Sequence, residues 1–211
     1  SIPKINILKL ILSNRFIKTS FQIKIMRFSN LEKTELLKAW IAISIAFAIV
    51  LRGTNLGFLQ NFILSALTVG VGFLLHELAH KIVAQKYGCW AEFRSFDSML
   101  LLAIGMSFLG FVFAAPGAVF IKGNVTTEKN GKISIAGPIT NIILAVLFFI
   151  LLQFFNTGYL NLISTYGFRI NSWLALFNMI PIWNFDGSKV LRWNKIYYAI
   201  VVIITLIFMV I

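Results

Sequence analysis

The sequence predicts an all-α polytopic membrane protein with about five to six transmembrane segments and a small β-hairpin or re-entrant element. Of its 211 residues, 59% are apolar and only 12% are charged, whereas soluble domains are about half apolar and a quarter charged. The apolar residues also form long blocks, and a membrane span needs roughly 20 such residues. A soluble fold would have to bury six helices that have almost no polar face, so the composition strongly disfavours one.

The apolar blocks define the predicted elements in chain order. Residues 1–35 form a basic N-terminal arm, which we expect in the cytoplasm or on the membrane surface. Residues 36–211 form an intramembrane domain. Helical spans are predicted at about 36–51, 58–87, 136–156, 169–187 and 194–211, with a polar loop at 89–98.

Residues 99–135 do not fit an ordinary span. The apolar block 99–121 is interrupted by glycines and by Pro116, and the alternating runs 118–121 and 132–135 are typical of a β-hairpin. If the block re-enters, the three basic loops of the domain face the same side as the arm, as the positive-inside rule requires. A full crossing would move two of these loops to the outer side. We therefore predict a re-entrant segment followed by a hairpin.

The basic residues indicate a membrane surface rather than nucleic acid. The formal net charge is +12, from 19 Lys and Arg against 7 Asp and Glu. Eight of these 19 precede residue 39, and most others lie in short connections between apolar blocks. This is the distribution of cytoplasmic loops beside anionic lipid. We expect a lipid bilayer and no nucleic acid among the partners. The single cysteine, Cys89, excludes an intrachain disulfide.

Both histidines of the chain lie in one motif, His76-Glu77-Leu78-Ala79-His80, within an apolar segment. Helix positions i and i+4 share a face, so the two imidazoles can bind one tetrahedral ion. Glu77 can reach a water molecule at that ion without being a ligand, as in the His-Glu-x-x-His motif of zinc metalloproteases. A chance match is disfavoured because polar groups inside a membrane segment are costly. We predict one Zn²⁺ per chain, bound by His76 and His80.

A catalytic zinc usually has three protein ligands and one open position. Five of the seven acidic residues lie in polar segments, which leaves Glu77 and Asp186 near the spans. Pro181 breaks the preceding helix and Gly187 permits an unusual backbone, so Asp186 is the natural third ligand. The alternative is an interfacial aspartate paired with Lys189 or Arg192.

The chain resembles the site-2 protease family of intramembrane zinc metalloproteases. The resemblance rests on the motif at 76–80, on Ala-Gly-Pro-Ile-Thr-Asn at 136–141, and on Asn178-x-x-Pro181 leading to Asp186-Gly187. It covers roughly residues 36–195 in the family's order. In the family the proline usually follows the asparagine sooner than Pro181 follows Asn178 here. This departure bears on the role of Asn178 more than on that of Asp186. The resemblance implies that Asp186 is the third ligand and that the site lies in the membrane near its cytoplasmic side.

The expected activity is hydrolysis of peptide bonds in or near transmembrane segments of membrane-protein substrates. Glu77 would act as general base toward a zinc-activated water. Asn178 would contact the substrate backbone or the oxyanion, or else cap the helix break. Asn141 would orient a ligand or satisfy local backbone, and the structural role is favoured. We expect a multi-pass protein of the cell membrane with its arm and active-site side cytoplasmic.

Two other functions use the same residues. A non-catalytic membrane zinc protein, such as a transporter or sensor, would keep the ligands but would not need Glu77. A prenyl-protein protease would share the first motif but use a glutamate as third ligand, and no second Glu occurs in a late span. A catalytically dead relative is disfavoured because every residue that the chemistry needs is present.

Overall fold

The structure is a computed structural model that describes residues 27–113 and 116–211. Most of the predicted N-terminal arm, residues 1–26, lies outside the described residues. The helices and strands of the described residues, in chain order, are α1 (Asn30–Val50), α2 (Phe58–Ser65), α3 (Val71–Lys86), β1 (Trp90–Ser95), α4 (Asp97–Ser107), β2 (Gly117–Lys122), α5 (Thr127–Phe154), α6 (Gly158–Asn178), α7 (Asp186–Trp193) and α8 (Lys195–Val210). Over these described residues the fold is helical with one small sheet, as predicted.

Three helical stretches within the described residues are long and apolar enough to cross a membrane. They are Asn30–Gly53, Phe58–Lys86 and Thr127–Phe154. The second stretch joins α2 to α3 through a π-helical turn, Ala66–Gly70. The chain is therefore a membrane protein by the length and composition of these helices. Helix α6 has 21 residues but carries Arg169 and several Ser, Thr and Asn residues, and α8 has only 16.

Strands β1 and β2 form an antiparallel pair, with Trp90 opposite Lys122 and Ser95 opposite Gly117. A small antiparallel sheet was predicted, but the predicted pairing of 118–121 with 132–135 is wrong. Residues 132–135 belong to α5, whose N-cap Thr126 accepts a hydrogen bond from the Lys129 N–H. Residues 90–95, predicted as a polar loop, are the actual partner strand. Four alternating residues carry too little signal to outweigh a capped helix start.

The segment between the two strands leaves and rejoins the sheet at the same end. The Phe96 N–H donates to the Pro116 carbonyl (3.0 Å). Helix α4 begins beside α1, where Lys38 pairs with Asp97 (2.5 Å), and ends near the α1 C-terminus, where Arg52 donates to the Phe108 carbonyl (2.9 Å). With 11 residues, α4 is roughly 16 Å long, too short to cross alone. This path agrees with a re-entrant segment; its placement in a bilayer stays a prediction.

Helix α5 is the central element and packs against α3, α6 and α7. It begins at Thr127 rather than near 136, so its Gly137-Pro138 pair lies inside the helix. The predicted span 169–187 is also displaced: α6 begins at Gly158 and ends at Asn178, and the chain around Pro181 is not helical. Proline lacks an N–H and blocks the preceding turn, so α7 starts anew at Asp186.

The π-helical turn packs closely on α1, and this contact yields a stability prediction. A Cβ at Gly70 would lie 2.7 Å from Trp40 Nε1, whose N–H donates to the Ala66 carbonyl (3.1 Å). We expect Gly70→Ala to displace Trp40 and destabilise the protein by about 1–3 kcal/mol, measured as a lower thermal midpoint in detergent. Gly105→Ala is the control, because a Cβ there meets nothing within 4 Å. Equal midpoints for the two variants would contradict this contact.

Candidate metal centre

Helix α3 presents two imidazoles on one buried face. His76 and His80 are one turn apart, and their ring centroids are 4.6 Å apart with the rings nearly perpendicular. Both side chains are buried, at 5% and 9% exposed. The predicted i, i+4 arrangement therefore exists, and the histidines lie within the apolar stretch Phe58–Lys86.

Asp186 joins the histidines from the start of α7. Its Oδ2 lies 3.2 Å from His76 Nε2 and 3.1 Å from His80 Nε2. The local chain supports this position, because Gly187 packs so tightly on the Met179 carbonyl that a Cβ would collide with it. The start of α7 is thereby held against the end of α6. The three residues bring ligand atoms within 4.8 Å of one another, and all three are buried.

The hydrogen-bond partners determine which imidazole nitrogens face Asp186. The Asn141 amide donates its N–H groups to the Gly72 carbonyl (3.2 Å) and to Asn171 Oδ1 (3.0 Å). Its Oδ1 is left to accept from His76 Nδ1 (2.5 Å). His80 Nδ1 donates to the Ile133 carbonyl (2.8 Å). Both imidazoles therefore carry a proton on Nδ1 and turn Nε2 toward Asp186.

This donor set fits a zinc ion. With neutral imidazoles, two Nε2 lone pairs and a carboxylate oxygen at 3.1–3.2 Å point at one position, where a cation would bind. In a tetrahedral zinc site with bonds of about 2.0–2.1 Å, neighbouring ligand atoms are about 3.3 Å apart. Asn141 and the Ile133 carbonyl are the outer partners that orient metal-binding histidines. The site thus has three protein donors, as an open catalytic zinc site requires.

Gly137 of α5 provides the space that the two imidazoles occupy. A Cβ at this position would lie 2.5 Å from His76 Nε2 and 2.6 Å from His80 Cε1. Any side chain here would therefore enter the volume of the metal centre. This contact is a physical reason for the glycine of the Gly-Pro pair at 137–138 that was noted in the sequence.

Asp186 also has a cationic neighbour, Lys189, at a longer distance than the two histidines. Lys189 Nζ lies 3.7 Å from Asp186 Oδ1, and its side chain is 28% exposed. The two readings of Asp186 from the sequence thus coexist, because Oδ2 faces the histidines while Oδ1 approaches Lys189. The burial and the shorter distances lie on the histidine side.

The two predicted catalytic residues have different positions. Glu77 follows His76 on α3, and its carboxylate approaches the backbone of Val119 in β2. Asn178 ends α6, and its amide donates to the Leu174 carbonyl of the same helix (2.9 Å). The structure therefore places Glu77 between the metal centre and the sheet, whereas the contact of Asn178 is local to its helix. Its role toward substrate stays a prediction.

Three contributors to the site were not assigned a role from the sequence: Asn171, the Ile133 carbonyl and Gly137. Asn141 was expected to have a structural role, yet its Oδ1 binds a histidine. A buried asparagine inside an apolar helix was the available signal, because such a group needs a partner. No sequence signal identifies a backbone carbonyl as a partner.

The fold and the site define a membrane protein with a buried His-His-Asp metal centre. The chain is 47% identical over 180 residues to a protein of Methanocaldococcus jannaschii named "Putative zinc metalloprotease MJ0611", covering 84% of this chain and 92% of that protein. "Zinc metalloprotease MJ0392" of the same organism is 34% identical over 125 residues, covering 58% and 31%. "Putative zinc metalloprotease YwhC" of Bacillus subtilis is 30% identical over 151 residues, covering 60% and 66%.

The chain belongs to this zinc metalloprotease family, and zinc is the metal that its donor set and its relatives imply. No protein-family model and no solved structure matches the chain.

Asn141 yields a prediction about metal affinity. Asn141→Leu removes the acceptor that holds the His76 Nδ1 proton, so Nε2 is no longer oriented toward the metal. We expect zinc affinity, measured by competition with a chelator, to fall about 10- to 100-fold. Thr140→Val is the matched control, because the Thr140 hydroxyl donates to the Ala136 carbonyl of its own helix (2.9 Å). Unchanged affinity in Asn141→Leu would contradict the assigned role.

Proposed function

We propose that this chain is an intramembrane zinc metalloendopeptidase of the site-2 protease type, which hydrolyses peptide bonds in or near transmembrane segments of membrane-protein substrates. The observation that carries the proposal is the placement of His76 and His80 inside a helix that can span a membrane. His80 lies six residues before the helix end at Lys86, roughly 9 Å along the axis. The site is thus below one end of the span rather than at its centre.

The proposed sidedness follows from the basic residues around that end. The helix that carries the site ends in Lys86. Further along the chain, Lys122 ends β2, and Lys129 and Lys132 lie in the first two turns of α5. By the positive-inside rule this end faces the cytoplasm, together with the N-terminal arm. We accordingly propose a multi-pass protein of the cell membrane whose partners are the lipid bilayer and a membrane-protein substrate.

The proposed reaction is hydrolysis of one peptide bond by water. When bound, zinc supplies Lewis-acid chemistry that polarises a carbonyl and acidifies a water molecule. Glu77 takes a proton from the attacking water as the new C–O bond forms. It then gives that proton to the leaving amine nitrogen as the C–N bond breaks. His76, His80 and Asp186 hold the metal, and Asn141 keeps His76 in the required tautomer.

Among the described residues, no strand pairs with the edge of β2 that faces away from β1. This free edge is the proposed substrate-binding element. Phe93 and Ser95 direct their N–H groups away from β2, to Glu32 and Glu35 respectively. In an antiparallel pair the residues opposite them also point outward, so Val119 presents its backbone groups on the free edge, toward Glu77. A helical substrate hides its peptide bonds in its own hydrogen bonds, and pairing with a strand edge exposes them.

The test of the general base separates hydrolysis from zinc binding alone. We expect Glu77→Gln to keep about one zinc per chain, because Glu77 is not a ligand, and to lose about 10²- to 10⁴-fold in kcat. The assay is cleavage of a transmembrane reporter peptide by the detergent-purified chain, with Asp186→Ala as the control that removes a metal ligand. A wild-type chain that binds zinc but shows no cleavage, and that moves zinc across proteoliposomes, would favour the transporter instead.

The free edge gives a second prediction. Ile121→Pro removes an outward N–H of β2 but no hydrogen bond to β1, so we expect the protein to fold and bind zinc. Cleavage of a transmembrane reporter should fall at least about 10-fold if the substrate pairs with this edge. Ile121→Val is the matched control. Equal cleavage by the two variants would show that main-chain pairing at this edge is not used.

A further inference from the structure

A fully buried ion pair lies outside the metal centre and has no part in the mechanism so far. Lys81 Nζ pairs with Glu32 Oε2, and both side chains are 0% exposed. The Lys81 ammonium also lies 4.0 Å from the centroid of the Phe28 ring. A buried ion pair adds little net stability, because desolvation offsets the attraction. The position of the pair indicates a link to the metal centre, since Lys81 directly follows the ligand His80 on α3.

Glu32 connects this pair to the sheet. Its second carboxylate oxygen, Oε1, accepts a hydrogen bond from the Phe93 N–H at the middle of β1 (2.9 Å). Ser29, the N-cap of α1, accepts from the Glu32 N–H (3.0 Å) and donates its hydroxyl to Glu92 of the same strand. The first turn of α1 therefore holds the outer edge of β1, and Lys81 holds that turn to α3.

The opposite edge of the sheet approaches the same face of α3. Phe93 lies opposite Val119 in the strand register, and the Glu77 carboxylate approaches the Val119 backbone. Glu77 and Lys81 are at positions i and i+4, so they share one face of the helix. One helix face thus approaches β2 at Glu77 and is joined to β1 through Lys81 and Glu32.

We propose that Lys81 and Glu32 are positioning residues that fix the β1–β2 sheet relative to Glu77. The inference rests on the proposed function, since a substrate strand paired with β2 would take its register from this sheet. The bridge, which runs from Lys81 through Glu32 to the Phe93 N–H of β1, determines the distance between the scissile peptide bond and the general base. It touches neither substrate nor metal.

The test removes the Lys81–Glu32 link between α3 and α1 without leaving a buried charge unpaired. Glu32→Gln/Lys81→Met keeps similar volumes, so we expect the protein to fold and to bind as much zinc as wild type. We expect kcat for a transmembrane reporter peptide to fall about 100-fold, the cost of a misplacement of about 1 Å, with KM little changed. Amide hydrogen exchange of residues 90–95 and 117–122 should become faster.

The matched control applies the same changes to an exposed ion pair. Glu128→Gln/Lys132→Met alters a surface pair of α5, and kcat and exchange should stay at wild-type values. If the bridge variant has the control's kcat at full zinc occupancy, the proposal is overturned. If the bridge variant fails to fold, the exchanged pair Glu32→Lys/Lys81→Glu is used instead, because it restores an ion pair but not the acceptor for the Phe93 N–H. A low kcat in this exchanged variant supports the positioning role. A wild-type kcat overturns the proposal.

The same experiment distinguishes failure of the two proposals. A wild-type chain that cleaves no reporter overturns the proposed function. In that case amide hydrogen exchange still tests the bridge. If residues 117–122 exchange at the same rate in the bridge variant as in the wild type, the positioning role is overturned.

Discussion

Helices α3 and α7 both pack against α5, and the site depends on their meeting there. His80 and Asp186 are far apart in the chain, yet their ligand atoms are 3.1 Å apart. Helix α5 makes this possible in two ways. Gly137 leaves the space that the imidazoles fill, and Ile133 and Asn141, one turn to either side, bind the far nitrogens of both rings. A shift of α5 would therefore disturb the space and the orientation together.

Polar groups inside apolar helices are costly unless they have partners, and around the metal centre this fold supplies partners from within. Asn141 and Asn171 form a chain of hydrogen bonds from His76 to the Gly167 carbonyl. The hydroxyls of Thr68 and Ser172 bond carbonyls of their own helices. The metal centre is thus the end of a satisfied network rather than an isolated polar cluster, which gives its ligands fixed orientations.

Local sequence patterns predicted features that depend on a single helix turn. They missed contacts that depend on how separate elements pack together. The i, i+4 spacing of His76 and His80 is local, and Asp186 emerged because so few acidic residues lie near spans. The sheet was mispaired because residues 132–135 alternate like a strand, although the Thr126 cap starts a helix before them. The bridge from Lys81 through Glu32 to β1 joins residues distant in sequence, and such contacts leave no periodic signal.

Zinc K-edge X-ray absorption of the detergent-purified chain tests the central claim most directly, because it reports the atoms bound to the metal. The geometry predicts two imidazole nitrogens and one carboxylate oxygen at about 2.0–2.2 Å, with scattering from two intact rings. A sulfur neighbour at about 2.3 Å, which would implicate Cys89, or a shell of oxygen atoms without imidazole, would contradict the assignment of His76, His80 and Asp186 as the metal ligands.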